Sequence, residues 1–369
     1  MGTLRTLFAI AVVFAHSLGN LLVGGQNAVQ LFYMISGFLI SYVLVERKAY
    51  PNIKSFYLNR YLRLYPIYFV IATLTFMTLA STIGKNINFF DIYIKAPNSA
   101  DILLVVSNVV LFFQDWVMFS GVEQNKLVFA RNFSNSEVVL YQGLLVPQAW
   151  TLGVELTFYL LAPFILFRKK ILIALLISSL ILRVYLISIG LGTKDPWTYR
   201  FFPTELALFL LGALAHQVLL PIYQKNLSTT QIEKYSKIST YFLVLLTLVF
   251  SFIPIKEMQK SIFLFGIFLL LMPLTFIFQS NRKWDKWIGD LSYPIYISHM
   301  LVIYVSSFFI SKIVSTELGE FHVMGKSVSL DKIAIGFSAV IFSIGLAILL
   351  NKFVGEPIES LRNRFRTAN

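Results

Sequence analysis

The chain has 369 residues, 57% of them hydrophobic and 13% charged, with a mean hydropathy of +0.73 and a formal net charge of +13. That composition excludes a soluble enzyme of this size and defines a polytopic membrane protein. The Lys and Arg residues fall in short clusters between apolar runs, so they read as membrane topology and no nucleic acid is expected as a partner; the absence of cysteine excludes disulfides and thiolate chemistry, and no metal is expected.

Runs apolar and long enough to cross a bilayer occur near 4–23, 28–46, 61–83, 150–167, 171–190, 202–220, 240–255, 261–279, 292–314 and 332–354. The expected fold class is therefore all-α, a polytopic bundle of about ten transmembrane helices. The first run lacks a small-x-small cleavage site and carries Arg5 and His16, so it is expected to be a retained helix rather than a signal peptide. A further run, 102–119, is interrupted by Asn108, Gln114 and Asp115 and is expected to be a re-entrant or interfacial helix. Positive clusters at Arg47/Lys48/Lys54/Arg60, Arg168–Lys170, Lys225/Lys234/Lys237, Arg282/Lys283/Lys286 and Arg362/Arg364/Arg366 fall on one side if both termini are cytoplasmic. That arrangement needs an even number of crossings. No internal repeat of the transporter kind is visible, and with about 15 residues after the last run no soluble appendage is expected.

Polar residues inside apolar runs are costly and mark candidate sites. Arg5 and His16 share the first run, and eleven residues at ~1.5 Å each set them about 16 Å apart along one helix. A neutral imidazole there could take a proton from a hydroxyl or briefly hold an acyl group; its bland alternative is a hydrogen bond between helices. Ser36–Gly37 is a small pair in an aromatic segment, suited to helix packing or to close approach of a narrow ligand. Arg60 and Arg63, one turn apart, have the spacing to grip phosphoryl oxygens, or they anchor the helix at the membrane surface. Phe89, Phe90, Tyr93, Trp116 and Tyr141 could stack on sugar rings or form an interfacial belt. Glu155 lies within a span, where it activates a group or pairs with Arg or His; Glu205 is a weaker second carboxylate. His299 is expected in the cytoplasmic half with a structural hydrogen bond, and His216 and His322 receive no role.

Together these segments resemble the acyltransferase 3 family of integral membrane O-acyltransferases, from Leu4 to about Leu361. Arg5 and His16 match its basic-x10-His element, Phe32–Phe38 its F-x-x-x-S-G-F segment, and Arg60/Arg63 with Pro66 its R-x-x-R element followed by proline. Trp150–Tyr159 is similar to W-T-L-x-x-E-x-x-F-Y, Ser292–His299 to S-Y-x-x-Y-x-x-H, and Val354–Pro357 to V-x-E-x-P. The family's usual Asp-Gly before the first arginine is here Gly2-Thr3, and the periplasmic hydrolase-like domain that many relatives add after the last span is not present in this sequence. Transfer to the final acceptor would then be completed by the membrane domain itself or by a separate protein.

The resemblance implies an acyltransferase domain over 1–361 with a basic cytoplasmic tail at 362–369, in a bacterial cytoplasmic (inner) membrane. It implies acetyl-CoA as donor, held by Arg60, Arg63, Ser36 and Gly37. It further implies His16 as base or acyl carrier, Glu155 orienting or charging its imidazole, and Arg5 positioning the donor or the helix end. The acceptor would be a hydroxyl of a surface polysaccharide such as O-antigen or exopolysaccharide, or of its lipid-linked precursor. A transporter or flippase using His, Glu and Arg as a proton relay is the rival expectation, and a structural partner in a glycan-assembly complex is a third.

Overall fold

Left-handed backbone at Gly19, Leu22 and Gly24 (φ 128°, 56° and 75°) cannot continue a helix, so the first helix stops at Ser17 and not near residue 23. The computed structural model describes residues 1–81, 89–280, 282–313, 320–323 and 326–366. In chain order its elements begin with α1 (Gly2–Ser17), α2 (Gly25–Ser41) with a π-helical turn at Tyr42–Glu46, and α3 (Ile53–Ala80). Next come α4 (Phe89–Lys95), α5 (Asn98–Val110), α6 (Gln114–Val117), the strands β1 (Ser120–Glu123) and β2 (Lys126–Phe129), α7 (Trp150–Ile165) and α8 (Lys169–Ser188). The chain continues through α9 (Phe202–Leu214), a π-helical turn at Ala215–Leu219, α10 (Leu220–Asn226), α11 (Thr229–Val249), α12 (Glu257–Ser280) and α13 (Lys283–Ile313). It closes with β3 (Glu320–Val323), β4 (Lys326–Ser329), α14 (Leu330–Leu350), a π-helical turn at Asn351–Gly355 and α15 (Glu356–Asn363). The strands form two antiparallel hairpins, with Ser120 opposite Phe129 and Glu320 opposite Ser329.

Among the described residues, 8 helices are long and apolar enough to cross a membrane. The expected spans at 4–23 and 150–167 are instead α1 and α7, of 16 residues each and so about 24 Å long. Run 102–119 forms no span. It breaks at Leu111 and Phe113, both with φ near 70°, into the 13-residue α5 and the 4-residue α6.

The chain divides into two compact units, Met1–Tyr42 with Leu211–Phe353, and Val43–Leu210 with Val354–Asn369. In the first, α1 is a central helix whose Leu4, Phe8, Ala9, Ala11, Val12 and Val13 are all buried. It runs parallel to α13. The Asp285 carboxylate accepts hydrogen bonds from the Gly2 and Thr3 amides at 2.6 and 2.8 Å and from the Thr3 hydroxyl at 2.7 Å, capping the positive end of α1. Thr6 donates to the Ile288 carbonyl at 2.7 Å. A Cβ on Gly289 would lie 2.6 Å from Gly2 Cα, so two glycines let the backbones touch. Because α1 and α13 point the same way, the chain crosses the membrane an even number of times between their starts.

In the second unit α3 packs against α7 and α15. The polar residues that interrupt run 102–119 are its staples. Asn108 donates to the Gly143 carbonyl at 2.9 Å and accepts from the Leu145 amide at 2.8 Å; Gln114 donates to the Tyr68 hydroxyl, which donates to the Asn108 carbonyl, both at 2.7 Å. Asp115 is buried against α7, where a Cβ on Gly153 would meet its carboxylate. Burial pushes the Asp115 carboxyl up to about 7, against the opposing hydrogen bonds of its own and the Trp116 amide.

Candidate active site

Arg60 lies in the second turn of α3, where an amphipathic start gives way to apolar sequence, and it is buried at 5% exposure. One of its terminal nitrogens donates to the Tyr50 hydroxyl, and its guanidinium lies over the Tyr50 and Phe56 rings, 5.7 and 5.8 Å from their centroids. Arg60 Nε is buried with no hydrogen-bond partner. Glu155 and Tyr159 of α7 face Arg60, and the Tyr159 hydroxyl donates to Glu155 Oε1. Glu155 thus belongs with the arginines of the second unit, whereas His16 belongs to the first.

Two further arginines join from the C-terminal segment. Arg362, the first residue of the expected basic tail, is buried on α15 and exchanges hydrogen bonds with Asn59: its Nε donates to the Asn59 carbonyl at 3.1 Å and the Asn59 side-chain amide donates to the Arg362 carbonyl at 2.8 Å. Arg60, Arg63 and Arg366 all lie near enough to Arg362 to repel it. Tyr50 reports that field. Burial raises its phenol, but Arg60, with Arg366 and Arg362 behind it, outweighs burial and holds the group below its ordinary 10. Three guanidiniums, those of Arg60, Arg362 and Arg366, thus act on one phenol, with Arg63 near Arg362 and Glu155 near Arg60, and such a concentration of forked donors has the chemistry to hold a polyanion. Tyr50, Asn59, Arg362 and Arg366 escaped sequence reasoning. The one available signal was that Tyr50 and Asn59 stand shortly before the arginine pair.

In the first unit, His16 is exposed near the end of α1 and Arg5 is half-buried toward its start. Ser36 and Gly37 lie mid-way along α2, Ser36 half-buried and Gly37 buried. The structure sets His299 beside His16, with ring centroids 5.1 Å apart, and so at the same level. Because α13 begins at Lys283, nine residues before the expected apolar run, His299 lies about half-way along that helix. His216 is buried at the π-helical turn, its Nδ1 2.9 Å from the Ser41 hydroxyl, which also accepts from Gln217 at 3.0 Å. Glu205 is a structural partner: fully buried, it accepts from Arg183 at 2.8 Å.

The aromatic residues of the polar region cluster around two points. Trp197, Phe119, Phe129 and Phe201 pack ring on ring, and the Arg200 guanidinium lies 4.4 Å from the Trp150 centroid and 5.0 Å from that of Tyr199. The Asp195 carboxylate holds Arg200 there through bonds of 2.6 and 3.0 Å.

These features define a helical membrane protein with a cluster of arginines in one unit and a histidine pair in the other. The family profile for an acyltransferase domain, acyltransferase 3, matches residues 2–352, and the chain belongs to that family. A Staphylococcus aureus (strain COL) protein, provisionally named an O-acetyltransferase, is 23% identical over 332 residues, covering 83% of this chain and 51% of its own length. A relative of the same provisional name from strain N315 matches equally. An uncharacterised protein of Aquifex aeolicus (strain VF5) is 29% identical over 169 residues, 44% of this chain and 72% of its own. The chain spans about half the length of the Staphylococcus relatives it matches. No solved structure matches it at a significant level.

Proposed function

We propose that this protein is a membrane O-acyltransferase that moves an acetyl group from acetyl-CoA, taken from the cytoplasmic side of a bacterial inner membrane, to a hydroxyl of a surface polysaccharide or its lipid-linked precursor. The observation that carries the reading is the arginine cluster around Arg60. CoA brings several phosphate charges, and Arg60 keeps a buried N–H donor that no protein group uses. The named activity of the Staphylococcus relatives supports the same transfer.

In this reading Arg60, Arg63, Arg362 and Arg366 hold the phosphates, with Tyr50 and Glu155 fixing the angle of Arg60. The pantetheine arm runs along small and aromatic residues near Ser36–Gly37, and Arg5 steadies the helix end or the donor. The acceptor oxygen attacks the thioester carbon, its proton passes to His16, the C–S bond breaks, and the thiolate leaves with that proton. His16 is written here as the base; as an acyl carrier it would instead hold the acetyl group between two such steps. The Trp150–Tyr199–Arg200 and Trp197–Phe129 clusters offer flat faces for sugar rings.

Inside-out vesicles given acetyl-labelled acetyl-CoA test the proposal. Label on glycan that disappears in His16→Ala protein of normal abundance supports it. Solute flux without acyl transfer overturns it in favour of a transporter. NMR of the surface glycan from a deletion strain would name the acceptor through the missing acetyl signals.

A further inference from the structure

The two histidines of the first unit stand in unlike surroundings. His16 is exposed, whereas His299 is fully buried at 0% exposure directly beside it, the two ring planes tilted by 34°. His299 Nδ1 lies 2.5 Å from the carbonyl oxygen of Tyr296, one turn back on α13. A carbonyl only accepts, so Nδ1 carries the hydrogen and the neutral ring keeps its lone pair on Nε2. That Nε2 is buried and has no hydrogen-bond partner. The neighbouring hydroxyls do not compete for it, since Ser298 and Ser292 donate to their own helix carbonyls at Ile295 and Gly289. Leaving a buried acceptor unpaired is costly, and such groups concentrate at sites of function.

We infer that His299 is the positioning residue of His16. An exposed imidazole backed by a buried acceptor is the arrangement by which a third group orients a catalytic base. In the structure Nε2 accepts no hydrogen bond; once His16 takes the acceptor's proton and both its ring nitrogens carry hydrogen, that lone pair is the acceptor standing behind it and holds the imidazole with its other nitrogen toward the acceptor hydroxyl. It also steadies the positive charge His16 gains on taking that proton. His299 itself neither gains nor loses a proton: the one that leaves the hydroxyl resides on His16 until the departing thiolate takes it. The inference rests on His16 acting as the base in the proposed transfer.

Four histidines in the chain make the test practicable. Full-length protein labelled with 15N-histidine is compared as wild type, His299→Gln and His299→Phe by long-range imidazole NMR. Glutamine keeps an acceptor where Nε2 stood; phenylalanine keeps only the volume. Expected are a bare Nε2 on His299 in the wild type, and a His16 titration midpoint that His299→Gln retains and His299→Phe changes. In acetyl transfer, His299→Phe should lower kcat on the order of tenfold to hundredfold with donor KM within about twofold, and His299→Gln should recover most of it. A spacer role predicts the reverse order, because an apolar ring fills a membrane core better than an amide. A hydrogen on His299 Nε2 in the wild type, or His16 signals indifferent to His299→Phe, overturns the inference. If wild-type protein transfers no acyl group at all, the functional reading fails, while the wild-type spectrum still decides the pairing.

Discussion

Replacing Arg60 should separate donor binding from helix anchoring. Its guanidinium offers five N–H donors; one terminal nitrogen is engaged by Tyr50, and Nε is buried without a partner. A phosphate that takes two charge-assisted bonds from the remaining donors gains about 1.5–3 kcal/mol from each. Arg60→Ala should therefore weaken CoA binding by about 3–6 kcal/mol, on the order of 10²–10⁴ in Kd. Arg60→Lys keeps the charge and loses the fork, so about half of that loss should remain. Arg63 is half-buried and more screened, and Arg63→Ala should cost roughly tenfold. Calorimetric titration of CoA into purified protein reads these values, with thermal unfolding run alongside because Glu155 and Tyr50 both lose a partner. Affinity should also fall as salt rises, since several guanidiniums contribute. Folded Arg60→Ala and Arg60→Lys proteins that bind CoA within about threefold of wild type would reduce the arginine pair to topology.

Other consequences concern stability. Asp115 has its carboxyl raised from 3.8 to about 7 in the folded protein, so its contribution is complete below pH 3.8 and is lost as pH climbs through 7, a loss approaching about 4 kcal/mol. Asp115→Asn should abolish that loss, and unfolding curves at about pH 5 and about pH 9 would show it as a difference roughly a third developed at the lower pH and complete at the higher. Glu205→Ala strands Arg183, itself about a quarter exposed at 24%; folding should weaken by about 2–4 kcal/mol, lowering membrane abundance while activity per folded molecule stays near wild type. Gly289→Leu pushes α13 off the Gly2 backbone and should abolish both folding yield and transfer. Gly266→Ala, whose added Cβ meets nothing within 4 Å, should gain about 0.5–1 kcal/mol.

The spans were legible because excluding water from some twenty residues demands near-continuous apolar sequence, a local property that needs no partner. Their ends were legible only where turn chemistry marks them. The start of α11 is announced by Ser228, whose hydroxyl accepts from the Gln231 amide while the Gln231 side chain answers the Ser228 amide. That of α13 is hidden, because its first turn is the charged stretch Lys283–Lys286, which hydropathy assigns to a loop. Polar site residues were legible one at a time: Arg5, His16, Arg60 and Glu155 each stand out against an apolar background whatever they touch. Their company was not, since Arg362 reaches Asn59 from about 300 positions away and nothing in the pattern of α3 or α15 encodes the meeting.

The same reasoning shows how the histidine pair arises. Fourteen residues separate Gly2 from His16, and fourteen separate Asp285 from His299. Two parallel helices rise by the same ~1.5 Å per residue, so a register set at one end is carried unchanged to the other. Here the register is set where the Asp285 carboxylate gathers the Gly2 and Thr3 donors and where Gly2 meets Gly289. A slip of one residue there would swing each side chain by about 100° around its helix and part the two rings. Asp285→Ala should therefore reach the histidines from about 20 Å away, disturbing the His16 imidazole signals and acyl transfer although Asp285 touches neither ring. An Asp285→Ala protein that folds with wild-type His16 signals would show that the register is held along the length of the helix pair rather than at its capped end.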